Sequence, residues 1–282
     1  MIRRIIFAVT LTFAALTAAC GPTGAPETQT LDVAYPVAEV VNVTLATNDG
    51  TVQVTAADTD GVTGTTTTNV ADWQSTVESA GDSITIRQGQ ANVSVIQDGE
   101  NAWDVQLGRG TPIQLTLNNT AADTTLNLGG LSLAGLMINA TSADYIVNYP
   151  APNPLEDGGE AAITLVGGTF TGTNLLNPHW RALEFTTNNG DATLRFNGAM
   201  LMQDLVADLT SISGNLLVDI APGVPAQITF RTTGGRVREI DPAYAQTDEI
   251  TYTIGGFETT DDPRLIIAVR TTTGDLRLAS TR

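Results

Sequence analysis

From about residue 38 onward, apolar residues fall at every second position in short runs separated by Gly, Asn and Asp. The alternation is clear in Val52/Val54, Ile84/Ile86, Ile113/Leu115/Leu117, Leu126/Leu128, Leu131/Leu133 and Leu136/Ile138. It continues through Leu194/Phe196, Leu205/Ala207/Leu209, Leu216/Val218/Ile220, Ile228/Phe230, Leu265/Ile267/Val269 and Leu276/Leu278. Thr fills many of the intervening places, as β-branched residues do on a solvated sheet face. A period of two predicts strands buried on one side. No helical stripe recurs; Asn69–Ala80 leaves room for one helical turn around Trp73. The pattern predicts an all-β unit over residues 38–282.

The strands also repeat. A polar turn followed by an alternating strand occurs at Thr47–Val54, Ser79–Ile86, Thr186–Leu194, Thr210–Leu216, Thr232–Val237 and Thr271–Leu276, with Ala for Gly at Ala122-Asp123 and Ala143-Asp144. The marker residues 122, 143, 190, 214 and 235 are 21, 47, 24 and 21 apart, and Gly167-Gly168 divides the long gap. A period of about 21–24 residues predicts a single β-solenoid, right-handed and β-helix-like, whose coils bury apolar residues by stacking. In that reading Gly190, Gly214 and Gly235 occupy equivalent turns of successive coils, with positive φ for at least two of them, and the leading Thr residues stack outside. Leu126, Leu128, Leu131, Leu133, Leu136, Ile138, Leu194, Phe196, Leu216, Val218 and Ile220 face inward. Thr125, Asn127, Thr193, Arg195, Leu217 and Asp219 face outward. The alternative is a β-sandwich, because Asn-Gly and Gly-Asp also make hairpin turns.

Residues Pro112–Leu117 and Leu126–Asn139, with "Leu-Asn-Leu-Gly-Gly-Leu-Ser-Leu-Ala-Gly-Leu", lead into turns such as Phe185–Gly198. This stretch resembles the bacterial toast-rack and putative-adhesin β-helix domains, closely over residues 105–240 and more loosely over 40–280. It departs from them at Ala122 and Ala143. The resemblance implies a β-helical fold and a surface-adhesin role, and no active site. Leu133–Asn139 also suggests a leucine-rich repeat, but Asn139 follows the last apolar residue directly, where that repeat needs a two-residue gap.

The first residues form a different segment. Arg3 and Arg4 precede an apolar run from Ile5 to Ala19, which ends in Thr17-Ala18-Ala19-Cys20. A basic start, an apolar stretch and small residues at a cut site make an export signal. With the cysteine it resembles the bacterial lipoprotein signal, departing at Thr17. The resemblance implies that Cys20 is the lipid attachment site. The alternatives are an ordinary signal cut at Ala19 and an uncleaved anchor, although about fifteen residues are short for a membrane span. The predicted organisation is a signal peptide over 1–19, the lipidated Cys and a flexible tether over 20–37, and the ectodomain over 38–282.

The chain's formal net charge is −17, and all 13 basic residues are Arg. Such acidity excludes nucleic acid as a partner. A single Cys excludes an internal disulfide and a Cys-type zinc site, and the single His, His179, excludes a His cluster. No Gly-x-Ser-x-Gly elbow occurs, so His179 reads as a loop residue.

Asp82, Asp123, Asp144, Asp191 and Asp275 follow turn Gly or Ala residues, and stacking would align some of them in a column. Such a column could hold calcium or serve a polysaccharide-cleaving site. The commoner role of a turn Asp is to accept backbone amides. Arg231, Arg236 and Arg238 are expected to pair with Glu239 and Asp241. Trp73 and Trp103 lie in polar stretches and are the expected exposed aromatics of a binding face, with Trp180 in the core. The sequons at Asn42, Asn92, Asn118 and Asn139 read as incidental.

These features predict a non-enzymatic cell-envelope lipoprotein, exported and held on the membrane through Cys20. It would bind, adhere or scaffold through a solenoid face, with no cofactor and no metal. Its partner is a protein or a polysaccharide. The alternative is a carbohydrate-active β-helix enzyme or a polysaccharide-binding module.

Overall fold

The computed structural model describes residues 23–90 and 98–281. Strands β1 (Glu27–Ala34), β2 (Val41–Ala57), β3 (Gly61–Thr68), β4 (Ser75–Ala80), β5 (Ser83–Gln88) and β6 (Asn101–Gly108) come first. Next are β7 (Ile113–Asn127), β8 (Leu133–Ser142), β9 (Tyr145–Asn148), β10 (Glu160–Gly167), β11 (Phe170–Thr173), β12 (Ala182–Asn189) and β13 (Ala192–Phe196). The chain continues with β14 (Leu205–Ser211), β15 (Leu216–Ile220), β16 (Ala226–Thr232) and β17 (Val237–Ile240). It ends with β18 (Ala245–Gln246), β19 (Thr251–Ile254), β20 (Leu265–Thr271) and β21 (Leu276–Ala279). Among the described residues the one helical turn is Ala71–Trp73, inside the stretch that the sequence left open to a helix.

Each coil contributes one strand to each of two faces, and from β8 to β21 a tight corner joins the two. Face A runs β5, β2, β7, β8, β10, β12, β14, β20, β16, all parallel. Face B runs β6, β2, β7, β9, β11, β13, β15, β21, β17, also parallel. The long strands β2 and β7 bend through the corner and serve both faces. Parallel neighbours one coil apart make a solenoid. They exclude the sandwich of plain hairpins, whose neighbouring strands would be antiparallel.

Inward positions of the two faces meet in one core that runs from Leu31 to Leu278. Every residue expected inside is buried, from Leu126 through Ile220. Phe170 and Phe185 meet across the core with ring centroids 5.0 Å apart. Tyr149 and Trp180 pack edge to face at 5.3 Å, under the loops that close the coils. Leu217 is half-buried and Val218 fully buried, so the register there is as expected. Asp219 points outward by alternation but is buried. The chain end covers it: Thr281 donates its backbone N–H and its hydroxyl to the carboxylate, and Arg195 lies 3.7 Å away.

The stacking order departs from chain order at both ends. From β7 to β14 the coil step is regular: Leu115 faces Leu136, Ile138 faces Ile163, Ile163 faces Phe185 and Phe185 faces Leu209. Beyond that, Leu209 faces Val269, and Val269 faces Phe230. The last coil in sequence (β20, β21) is therefore inserted between β14/β15 and β16/β17. The first coil, β2, likewise lies one place in, beneath β5 and β6. Antiparallel strands lie outside these end coils: β4 on β5, β3 on β6, β1 on β3, and β19 on β16 with β18 beyond. An end coil has no neighbour to cover its core and edge, and added antiparallel strands supply one.

Candidate functional site

The corner between the faces is where the repeated motif lies. Gly168, Gly190, Gly214, Gly274 and Gly235 stack there in that order, so Gly274 separates Gly214 from Gly235. None of Gly190, Gly214, Gly274 and Gly235 has positive φ, which corrects the expectation from turn chemistry. Their need for glycine is steric. A Cβ on Gly190 would run into the carbonyl oxygen of Gly168, one on Gly214 into that of Gly190, and one on Gly274 into that of Gly214.

Three residues before Gly190, Gly214, Gly274 and Gly235 stands a hydroxyl. Ser211 donates to the Gly214 carbonyl and accepts its N–H, Thr271 donates to the Gly274 carbonyl at 2.8 Å, and Thr187 donates to that of Gly190. Thr187, Ser211 and Thr271 are buried, not outside. They satisfy corner amides and carbonyls that the apolar core cannot. The Thr/Ser-x-x-Gly spacing carried this signal, but it reads as ordinary turn composition until the coil is closed.

The residue after the glycine forms the outer column: Asp123, Asp144, Thr169, Asp191, Asn215, Asp275 and Arg236. Five of these side chains, those of Asp123, Asp144, Asp191, Asn215 and Asp275, reach the next coil's backbone. Asp123 accepts the N–H of Asp144 at 3.1 Å, and Asp144 accepts that of Thr169 at 2.7 Å. Asp191 accepts that of Asn215 at 2.8 Å, Asn215 that of Asp275 at 3.1 Å, and Asp275 that of Arg236 at 3.0 Å. Asp82 is not in the column. It sits in the β4–β5 turn, at the entry end of face A, where its carbonyl accepts the N–H of Asn42.

At the C-terminal end of the column a shallow groove is lined by Asp191, Asn215, Leu217, Arg238, Asp275 and Arg277. Arg238 pairs with Asp275, and Arg277 with Glu239. The expected partners were Glu239 and Asp241; stacking β17 on β21 brings Asp275 to Arg238 instead. The Arg238 hydrogen bond holds the Asp275 carboxyl below the usual range. A general acid needs the opposite shift. Among the described residues, no group of three or more His, Cys, Asp or Glu side chains is placed to share a metal ion.

The two tryptophans expected on a binding face part company. Trp103 is 2 % exposed, on β6, and its Nε1 donates to Asn101 at 3.0 Å. It is a core residue, because it occupies an inward position that the polar residues around it in sequence conceal. Trp73 is half-buried in the turn at the N-terminal end. Trp180 is buried as expected. His179 sits in a closing loop at φ 59°, with Nδ1 3.0 Å from the Leu155 carbonyl. Cys20 and the leader lie outside the described residues.

Residues 23–151 match the family described as the N-terminal domain of toast_rack. No curated protein matches the chain. Among solved structures, a putative cell adhesion protein from Clostridium sporogenes has the same fold at 11 % identity and a TM-score of 0.50, over 91 % of this chain and 100 % of that one. A putative adhesin from Bacteroides fragilis aligns at 11 % identity and a TM-score of 0.34, over 90 % and 96 % of the two chains. One from Parabacteroides distasonis aligns at 12 % and 0.37, over 90 % and 97 %. The profile match places a toast-rack N-terminal domain over residues 23–151, and the solenoid fold is shared with the Clostridium sporogenes protein.

Proposed function

We propose that this protein is an exported, lipid-anchored envelope protein that binds an extended or flat partner through a solenoid face, without catalysis. The observation that carries the reading is the use made of the column acids. Asp123, Asp144, Asp191 and Asp275 each accept the backbone of a neighbouring coil, so they serve to fasten the stack. What remains for partners is a rigid two-sided surface of outward Thr, Asn and acidic side chains, the kind of face solenoids use for recognition. The fold it shares with a putative cell adhesion protein agrees with this. The leader ending in Cys20 supports anchoring, and the half-exposed Trp73 is the aromatic left to mark a contact.

Two measurements test the reading together. In cells, labelled fatty acid should enter the wild-type chain and not Cys20→Ser, which should leave the membrane fraction. In vitro, the chain from residue 23 onward should bind isolated envelopes saturably, with Trp73→Ala weaker and equally folded. Labelling that persists in Cys20→Ser removes the anchor. Polysaccharide turnover by purified protein, abolished in Asp191→Asn, removes the non-enzymatic reading.

A further inference from the structure

The two ends of face B are unlike in charge and alike in geometry. At one end the outermost strand is β1, and at the other it is β17; among the described residues neither has a partner on its outer side. Strand β1 is antiparallel to β3, and β3 is antiparallel to β6. From β6 onward every neighbour is parallel, so β1 runs in the same direction as β17. A second copy moved along the solenoid axis would therefore place its β1 beside β17 in the parallel sense that the face already uses. Both strands are open to this: β1 is exposed except at Leu31 and Val33, and Arg238, Glu239 and Ile240 of β17 are exposed. Ile240 is 42 % exposed on this edge, which Arg238 and Glu239 blunt only in part by their charge.

Charge is distributed along the same axis. Residues 23–108, which form the β1 end, hold twelve Asp and Glu and a single Arg, Arg87. The last 57 residues hold seven Arg against eight acids. Three of those arginines, Arg231, Arg236 and Arg238, stand exposed in the outermost coil at the β17 end. The same coil carries Glu239, Asp241, Asp248 and Glu249, and Arg238 is paired with Asp275, so the attraction rests on Arg231 and Arg236, and the surface that complements these two is the acidic β1 end of another copy. A bulge between Val237 and Glu239 shortens the regular part of β17. The strand contact is therefore short, and the attraction between the ends must carry much of the affinity.

We propose that the protein self-associates head to tail, with β17 and the neighbouring Arg231 and Arg236 on one copy docking along the acidic β1 edge of the next. Such a contact is heterologous and does not close, so it builds a growing series instead of stopping at a dimer. Because it joins exposed charges, it weakens as salt shortens the screening length from about 20 Å near 0.02 M to about 4 Å near 0.5 M.

The test is sedimentation velocity over a concentration series, on the chain from residue 23 onward, which holds every described strand. At low salt the wild type should give species that grow past the dimer with concentration, and high salt should return it to monomer. Arg231→Glu with Arg236→Glu reverses one end; Glu27→Arg with Asp32→Arg reverses the other. Each variant alone should associate at least about tenfold more weakly, since like charges then meet. Mixing the two should restore growth, because each reversed end then finds its complement, and circular dichroism checks that both remain folded. A wild type that is monomeric at every concentration overturns the proposal. So does a series that stops at the dimer, or growth that neither variant changes.

Discussion

Replacing Gly214 by Ala separates the two reasons a corner glycine can exist. Where the backbone suits alanine, Gly→Ala stabilises a protein by about 0.4–1 kcal/mol, because the unfolded chain loses freedom. The φ of Gly214 is not positive, so by backbone conformation alone the change should help. The obstacle is the carbonyl of Gly190 in the adjacent coil, into which the new Cβ would run. That oxygen belongs to a ladder whose strands are held about 4.8 Å apart, so it yields less readily than a side chain. Overpacking costs about 1–3 kcal/mol. The upper part of that range, less the entropic gain, leaves a net loss of about 2 kcal/mol. With a slope of about 2–3 kcal/mol per molar urea, the unfolding midpoint should fall by roughly 0.7–1 M. Gly81 is the control, with φ 62° and nothing near its missing Cβ. There Asn should be milder than Ala, because Asn tolerates the left-handed region. At position 214 Asn should be at least as harmful as Ala. A Gly214→Ala midpoint equal to or above wild type would refute the close-packing argument, as would Asn proving milder than Ala at 214.

Two further outcomes follow from the column and the core. Asp191→Asn should cost less than about 0.5 kcal/mol, since Asn215 does the same work one coil on, whereas Asp191→Ala should cost about 1 kcal/mol through the lost acceptor; equal losses in urea melts would deny the column its structural role. Tyr149 is buried with its hydroxyl unpartnered, and burial pushes its phenol well above the ordinary value of 10.0. The unfolded chain therefore releases this proton at a lower pH than the native one, so stability is undiminished below about pH 10 and falls as the pH rises beyond it. Tyr35, pushed up to about 12, acts in the same direction. Tyr149→Phe should be neutral or slightly stabilising at pH 7 and should lose less stability between about pH 10 and 12 than wild type; parallel alkaline profiles would count against it.

The strands and the core were legible because they depend on near neighbours in sequence. Alternation places Leu126, Leu194 and Val218 inward whatever their partners are, and the repeated turns from Ala122 to Gly214 space the middle coils. Trp103 misled because its neighbours are polar, while burial is set by strand phase: it faces Val52 across β6 and β2. Asp219 misled because its cover, Thr281, arrives from 62 residues away.

The sequence alone determined the strand content, the inward residues and the existence of a stack. Those follow from the period of two and from turns that recur at coil length. Only the tertiary structure decided the order of the coils and the meaning of the motif. A glycine fitted for close approach and one fitted for positive φ are the same letter. An acid that accepts a neighbouring amide is likewise written as one that binds a cation. Gly274 enters between Gly214 and Gly235 because β20 and β21 insert between β14/β15 and β16/β17, with antiparallel β19 covering β16 outside them. Covering an exposed edge and core is a requirement of the closed object, and no local run of residues carries it.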